Sequence, residues 1–312
     1  CGLGSIGTRH LKNLHAVAAR KGVPVQAYAL RSSVRALPAG TKALLAGEFC
    51  TLPQGAQFDA AFLTNPTSLH YGTLCALRGK AGALFIEKPI FDAPGKNLDA
   101  CLAPGQKAYV AAPMRWCGVM LALKRLLPQL KPYSARVICS SYLPDWRPGV
   151  DYRTVYSAHR AMGGGVAIDL IHEWDYLAEL FGMPRQVYCL KGTYSELELD
   201  SDDLAVYIAR YDTLLAEVHL DYFGRTYRRS IELFCKDGTV TADFGENEHQ
   251  KNVAYHVKCQ CGLMMLQDEE PVNERYVREM EYFLEYALHG MGESLNPPHT
   301  AQEVLKIALG EA

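Results

Sequence analysis

The sequence is poor in anything that would carry the chain to a membrane or a nucleic acid. No stretch approaches the ~20 consecutive apolar residues that a membrane-spanning helix needs. No long lysine and arginine run appears, and the net charge over 312 residues is −2. The basic footprint of a nucleic-acid or anionic-surface binder is therefore lacking. Ten cysteines are scattered along the chain without one C-x-x-C pair. Cys259 and Cys261 form a lone C-x-C with no His or Cys nearby at ligand spacing, so no metal site is expected. The cysteines read as reduced thiols, mostly small buried hydrophobes, and a cytoplasmic setting is expected with them. Internal repeats and low-complexity segments are absent too.

What is present is an ordinary globular composition, 49% hydrophobic and 21% charged, at a length that suggests two domains. Residues 1–113 alternate helix-like and strand-like stretches. Residues 7–21 read as a helix with Ile6, Leu11, Leu14 and Val17 on one side. Residues 25–30, 58–64, 82–88 and 106–113 read as strands, and 68–80 as a helix ending at Gly79. Such alternation implies a parallel sheet with crossover helices. Residues 114–312 differ. A helix over 118–130 and a strand over 133–143 lead to a helix over 163–182, started by three glycines and stopped by Gly182-Met183-Pro184. Strands then follow at 185–195, 203–211, 214–223, 228–236 and 239–244, with a hairpin signal at Lys236-Asp237-Gly238. Helices over 273–289 and 299–310 close the chain. The fold class read from this is α/β: a doubly wound dinucleotide-binding domain over 1–113, and an α+β domain with a mostly antiparallel open sheet over 114–312. The last helix is expected to pack back on the first domain.

The opening CGLGSIG spells G-x-G-x-x-G with Gly2, Gly4 and Gly7. In such a loop the first glycine makes the turn, the second admits a pyrophosphate and the third lets helix and strand pack closely. The following helix offers free N–H groups to phosphate. Ser5 and Ile6 inside the loop join the glycines as expected cofactor contacts. The strand that should precede the loop is missing, since only Cys1 stands before Gly2. The reading expects the sequence to lack its first few residues. An acid for the ribose 2′-hydroxyl is also missing ~20–25 residues on. Arg31, Ser32 and Ser33 stand there instead and suit a 2′-phosphate, so NADP is expected over NAD.

Thr64-Asn65-Pro66 and Glu87-Lys88-Pro89 end two apolar strands, where open α/β sheets bind ligands. Lys88 at a strand end is a candidate proton donor or acceptor, aimed by Pro89. Later, Asp169, His172, Glu173 and Asp175 fall on one expected helix, with Asp169 and His172 three apart on one face. A hydride taken from a secondary alcohol requires loss of the hydroxyl proton, and His172 is suited to receive it.

Together, the glycine loop, Thr64-Asn65-Pro66 with His70, Glu87-Lys88-Pro89 and the Gly163-Gly164-Gly165…Asp169…His172 helix resemble the Gfo/Idh/MocA family, the glucose–fructose oxidoreductase and inositol dehydrogenase group. The resemblance implies an oxidoreductase that uses NAD or NADP on a sugar or related compound, with a C-terminal sheet that makes a homodimer or homotetramer. It makes Lys88, His172 and Asp169 the catalytic group. Arg115 matches an arginine near the nicotinamide, beside Thr64, Asn65, Pro66, His70 and Glu87 as cofactor contacts. The chain departs from many members in spacing, since Asp169 and His172 are three apart rather than four, about 100° of helix rotation. The segment 141–153 resembles members from sugar biosynthesis, which implies a nucleotide-linked or amino sugar. Its Trp146 and Tyr152 can stack on a sugar, while Asp145, Arg147, Asp151 and Arg153 can bind hydroxyls or an acid group. His159 and Arg160 are further substrate candidates. A non-catalytic sensor on the same fold and an inactive fragment stay open as alternatives.

Overall fold

Residues 1–32, 35–245, 252–260, 265–290 and 292–311 are described by a computed structural model of the chain. Ser33 and Cys261, both named above, lie outside the described residues. The chain divides into two compact units, one of residues 1–112 with 276–302, the other of residues 113–275 with 303–312.

The first unit holds α1 (Ser5–Lys21), β1 (Tyr28–Leu30), α2 (Ala39–Lys42), β2 (Gly47–Phe49), β3 (Phe58–Leu63), α3 (His70–Ala76), β4 (Ala81–Ile86) and β5 (Lys107–Val110). Every strand pair is parallel, but the strands form two sheets, β1-β2 and β3-β4-β5. Apolar residues on both faces of β3 and β4 are what a sheet covered on both sides requires. The assignment of everything after 114 to the second domain is corrected by residues 276–302. There Met280, Phe283, Leu284 and Tyr286 enter a core with Val17, Ala18, Phe85 and Tyr109. They lie on α7 (Glu274–His289), whose apolar side is buried in this way.

Cys1 and Gly2 stand between the two small sheets. The Gly2 N–H donates to the Leu30 carbonyl at 3.0 Å and the Thr64 N–H to the Cys1 carbonyl at 2.9 Å. The Cys1 amino group donates to the Phe62 carbonyl at 2.7 Å. Behind Cys1 lies a cavity of about 410 Å³, lined by residues including Leu11, Leu14, Ala29, Ala60, Phe62 and Leu284.

The second unit holds α4 (Gly118–Leu126), β6 (Pro132–Tyr142), α5 (Val166–Asp169), α6 (His172–Phe181), β7 (Gln186–Gly192), β8 (Leu204–Arg210), β9 (Leu215–Asp221), β10 (Phe223–Cys235), β11 (Gly238–Asp243), β12 (Asn252–Cys259) and β13 (Met265–Pro271). The last helix, α8 (Pro298–Leu309), joins it from Glu303 onward. The strands form one eight-stranded sheet in the order β13-β12-β11-β10-β6-β9-β8-β7. Only β6 with β9 is parallel; the other six neighbours run antiparallel. Alternate residues such as Val137, Tyr207, Val218, Leu233 and Val240 are buried on one face. The expected hairpin is there, with Lys236 and Asp237 as its two-residue turn between Cys235 and Gly238.

Three sequence expectations are corrected. The helix over 163–182 is two helices, because Leu170 leaves helical geometry at φ −96° and ψ 27°. Strands β12 and β13 go unread, since the edge strand Met265–Pro271 carries acids where an apolar alternation is expected. Cys75 and Cys101 are joined in a disulfide, their Cα atoms brought to 4.0 Å by α3 and the loop after β4. Among the described residues no helix is long and apolar enough to cross a membrane.

Candidate active site

The glycine loop takes the shape its spacing predicts. Gly2 has a φ of +87°, and a Cβ there would lie 2.8 Å from the Asn65 backbone. A Cβ on Gly7 would come within 2.6 Å of both the Gly2 carbonyl and Thr64 Oγ1. Close packing of α1 on the strand end thus demands glycine. Gly4 meets nothing within 4 Å, so the space over the loop is open to a ligand. Gly4 also serves as the N-cap of α1, without a capping side chain and with no acid in the first turn. The amides of Ser5, Ile6 and Gly7, lacking intrahelical partners, and the positive end of the helix dipole face that space. These features fit a dinucleotide pyrophosphate.

The strand ends are tied to the loop. Thr64 Oγ1 donates to the Gly2 carbonyl at 2.8 Å, and Asn65 Nδ2 to Thr73 Oγ1 at 2.8 Å. Pro66 sets the entry to the short 3-10 turn Thr67–Leu69. His70, expected at the cofactor, is only 1% exposed. Its ring nitrogens face the carbonyls of Asn65, Pro89 and Ile90, so it clamps the two strand-end loops together. Burial pushes its pKa down against those carbonyls.

Glu87 is buried and takes a 2.5 Å hydrogen bond from His10 Nε2 on α1. Its second oxygen accepts the Lys88 N–H at 3.2 Å. Burial pushes the carboxyl up, but the His10 hydrogen bond and the charges of His10 and Lys88 outweigh it and hold it below the usual range. Lys88 is half-buried beside it and is followed by a cis peptide to Pro89. Sequence reasoning missed His10. The available signal was one imidazole next to Leu11 and Leu14, a single turn beyond the glycine loop.

Arg31 is not waiting for a phosphate. Its Nη1 is 2.5 Å from the Glu48 carboxylate, and it also donates to the Arg35 carbonyl. A carboxylate thus occupies the guanidinium assigned to a 2′-phosphate, and Ser32 sits in the bend beside it. Glu48 went unnoticed because it comes from β2, a strand of three residues.

In the second unit the broken helix sets the geometry. Asp169 ends α5, and His172, half-buried, opens α6. They are therefore not neighbours on the face of one continuous helix. The Asp169 carboxylate, 7% exposed, accepts the Tyr222 hydroxyl at 2.6 Å. The Tyr156 phenol lies beside the same carboxylate. Burial and the adjacent carboxylate push both phenols up, so both remain donors at neutral pH. Trp146 stands edge-on to Tyr222 with centroids 5.2 Å apart, and Arg147 lies 5.8 Å over the Tyr156 ring. The glycine run makes this possible, because a Cβ on Gly164 would lie 2.7 Å from the Ser157 carbonyl. Tyr156 and Tyr222 were missed; the only signal was a phenol just beyond each strand or loop that flanks Asp169.

Other expected site residues are spent elsewhere. Arg115, 3% exposed, makes a two-point pair with Asp175, at 2.9 and 2.8 Å. It thus anchors the turn Pro113–Trp116 to α6, where the sequence reading sets it at a cofactor. Glu173 is buried against Arg229 at 2.8 Å. Arg153 binds Asp151 and Glu198, His159 faces the Arg153 carbonyl at 2.7 Å, and the Arg160 N–H is taken by Asp200. Tyr152 receives the Glu198 N–H on its hydroxyl at 3.0 Å. Of the substrate candidates in this loop, Trp146 and Arg147 join the Asp169 cluster, while Tyr152 and His159 brace the loop.

A doubly wound parallel unit followed by a large open antiparallel sheet is the architecture of a class of nicotinamide-dependent oxidoreductases. Three solved structures share it over nearly the whole chain. Levoglucosan dehydrogenase in complex with NADH and levoglucosan aligns with a TM-score of 0.77 at 15% identity, covering 99% of this chain and 94% of that one. UDP-N-acetylglucosamine 3-dehydrogenase GnnA from Acidithiobacillus ferrooxidans aligns at 0.65 and 17%, covering 99% and 93%. GenD2 from gentamicin A biosynthesis, in complex with NAD, aligns at 0.74 and 18%, covering 99% and 90%. Residues 131–241 match the GFO/IDH/MocA C-terminal domain, so the chain carries that family's domain and the resemblance read from its motifs holds. No curated protein matches the sequence.

Proposed function

We propose that this chain is a nicotinamide-dependent oxidoreductase that moves a hydride between the dinucleotide and a carbinol or carbonyl carbon of a sugar or sugar derivative. One observation carries the reading: a glycine turn with open space over Gly4, leading into an uncapped helix whose first turn holds no acid. Gly2, Gly4, Ser5, Ile6 and Gly7 would hold the pyrophosphate, and Thr64 and Asn65 border it. Bound there, the dinucleotide supplies the hydride donor or acceptor. Lys88, held at its strand end by the Glu87–His10 pair, serves as a proton-handling group on the first unit. On the second unit the Asp169 carboxylate, with Tyr156 and Tyr222 as donors, binds a substrate hydroxyl, and His172 is the second proton acceptor. Trp146 offers an apolar face to a sugar ring and Arg147 a cation to an acidic or phosphorylated one. The similar structures named above carry levoglucosan in one case and a UDP-linked amino sugar in the name of another, which supports the substrate class.

Arg31 serves a 2′-phosphate only by exchanging Glu48 for it, so the preference for NADP over NAD is modest. A second copy of the chain is proposed to cover the outer face of the large sheet. Tyr188, Leu190 and Ile208 stand exposed there, with Tyr188 directly opposite Ile208. The reading is tested by following nicotinamide absorbance with levoglucosan, UDP-N-acetylglucosamine and a panel of free and amino sugars. Turnover of at least one sugar, abolished in Lys88→Ala, is expected. Dinucleotide binding without turnover across the panel would favour a sensor.

A further inference from the structure

The long connection between β4 and β5 is fastened to α3 at several points. Residues 87–106 hold neither helix nor strand, where about 4–6 residues is the usual span between elements. Lys88 stands at the head of this connection. His70, at the start of α3, holds the carbonyls of Pro89 and Ile90 at 3.2 Å each. Phe91 is fully buried and packs edge-on against Tyr71 with centroids 5.6 Å apart. A helical turn further on, Cys75 is bonded to Cys101, closing a sequence separation of 26. Just beyond it, Arg78 Nε donates to the Leu102 carbonyl at 3.2 Å. The disulfide is the covalent tie in this series, and its two ends are unequally buried. Cys101 is fully buried, whereas Cys75 is half-buried on α3. The Cys75 sulfur is therefore the end that a reductant reaches.

We propose that Cys75–Cys101 is a reversible thiol–disulfide control site on the first unit, which a dithiol reductant opens to loosen the 87–106 connection, with Lys88 at its head, from α3. One thiolate of the reductant attacks Cys75 Sγ, the Cys75–Cys101 bond breaks, and Cys101 leaves as a thiolate that takes up a proton. The second thiol of the reductant then displaces Cys75, which takes up a proton in turn. Two electrons and two protons pass to the pair, and the reductant ends as a disulfide. A small disulfide oxidant reverses both steps. The intact bond limits the freedom of the connection, and breaking it returns that freedom. The His70 contacts and the Phe91 ring then hold the connection alone, without the tie at its far end. A loosened Lys88 loses the fixed placement that proton transfer demands. The effect on turnover rests on the function proposed above; the release of the connection does not.

The experiment compares the protein oxidised with glutathione disulfide and reduced with dithiothreitol, and Cys75→Ala under both conditions. The readouts are the masses of alkylated peptides holding Cys75 and Cys101, melting temperature, amide hydrogen exchange, and turnover of a sugar from the panel above. The oxidised protein should carry the bond, and reduction should lower the melting temperature by at least about 4 °C. Exchange at Lys88 and Cys101, whose amides bond to Glu87 and to the Leu98 carbonyl, should quicken at least about tenfold on reduction. Turnover should fall at least about fivefold. Cys75→Ala should match the reduced protein and ignore dithiothreitol, which assigns the change to this pair among the ten cysteines. Absence of the bond from the oxidised protein, or exchange at Lys88 unchanged by reduction, would overturn the proposal. So would equal turnover in the two states. If no sugar is turned over in any form, the proposed function fails, and mass and exchange alone decide the control site.

Discussion

The two units handle their polar groups differently. In the first, a split parallel sheet leaves a cavity and an open glycine turn, and its buried acid, Glu87, is linked to the backbone of a half-buried lysine. In the second, a continuous eight-stranded sheet carries charges locked into pairs, Arg115 with Asp175 and Glu173 with Arg229. Asp169 accepts the Tyr222 hydroxyl, and the Tyr156 phenol lies beside the same carboxylate.

Lys88→Ala tests the functional side most severely. Turnover should fall about 100- to 10,000-fold while dinucleotide affinity stays within a few-fold. Near-normal turnover would remove Lys88 from the chemistry. Arg115→Ala tests the structural side. It leaves Asp175 buried without its two-point partner and should cost about 3–5 kcal/mol in denaturant unfolding. A loss under 1 kcal/mol would show that the pair is not structural.

The Glu87–His10 pair divides the two roles by pH. Because the folded-state pKa of Glu87 is held below its ordinary value, its contribution to stability is fully present above about pH 4.5. That contribution is lost as pH falls through the folded value. His10→Ala should therefore be destabilised most above about pH 4.5, with the gap to the parent closing as pH falls through the lowered folded value of Glu87. A gap that does not change with pH would mean that packing of the ring, not the carboxylate bond, is what His10 supplies. The smallest effect is expected at Arg31. Glu48→Ala frees the guanidinium and should shift relative affinity several-fold toward NADPH, measured by competitive titration.

The same contrast explains what could be read from the sequence. The glycine turn and the strand-end residues Thr64, Glu87 and Lys88 were legible because sterics and strand polarity fix them locally. The α/β alternation and the open antiparallel sheet were legible because hydrophobic period distinguishes them. The partners were not. Glu48, His10, Tyr156 and Tyr222 reach their targets from elements distant in sequence, and no spacing rule connects them. The break at Leu170 was hidden because its apolar residues continue the helical period through the interruption. Arg115 and Asp175 are 60 residues apart, and their pairing with each other follows from no spacing rule.

The central claim is that the open turn from Gly2 to Gly7 binds a nicotinamide dinucleotide. Its most direct test is a fluorescence titration of the protein with NADH and NADPH. Saturable binding is predicted, abolished by Gly7→Val, whose side chain would strike the Gly2 carbonyl. Failure of the folded protein to bind either dinucleotide would contradict the claim.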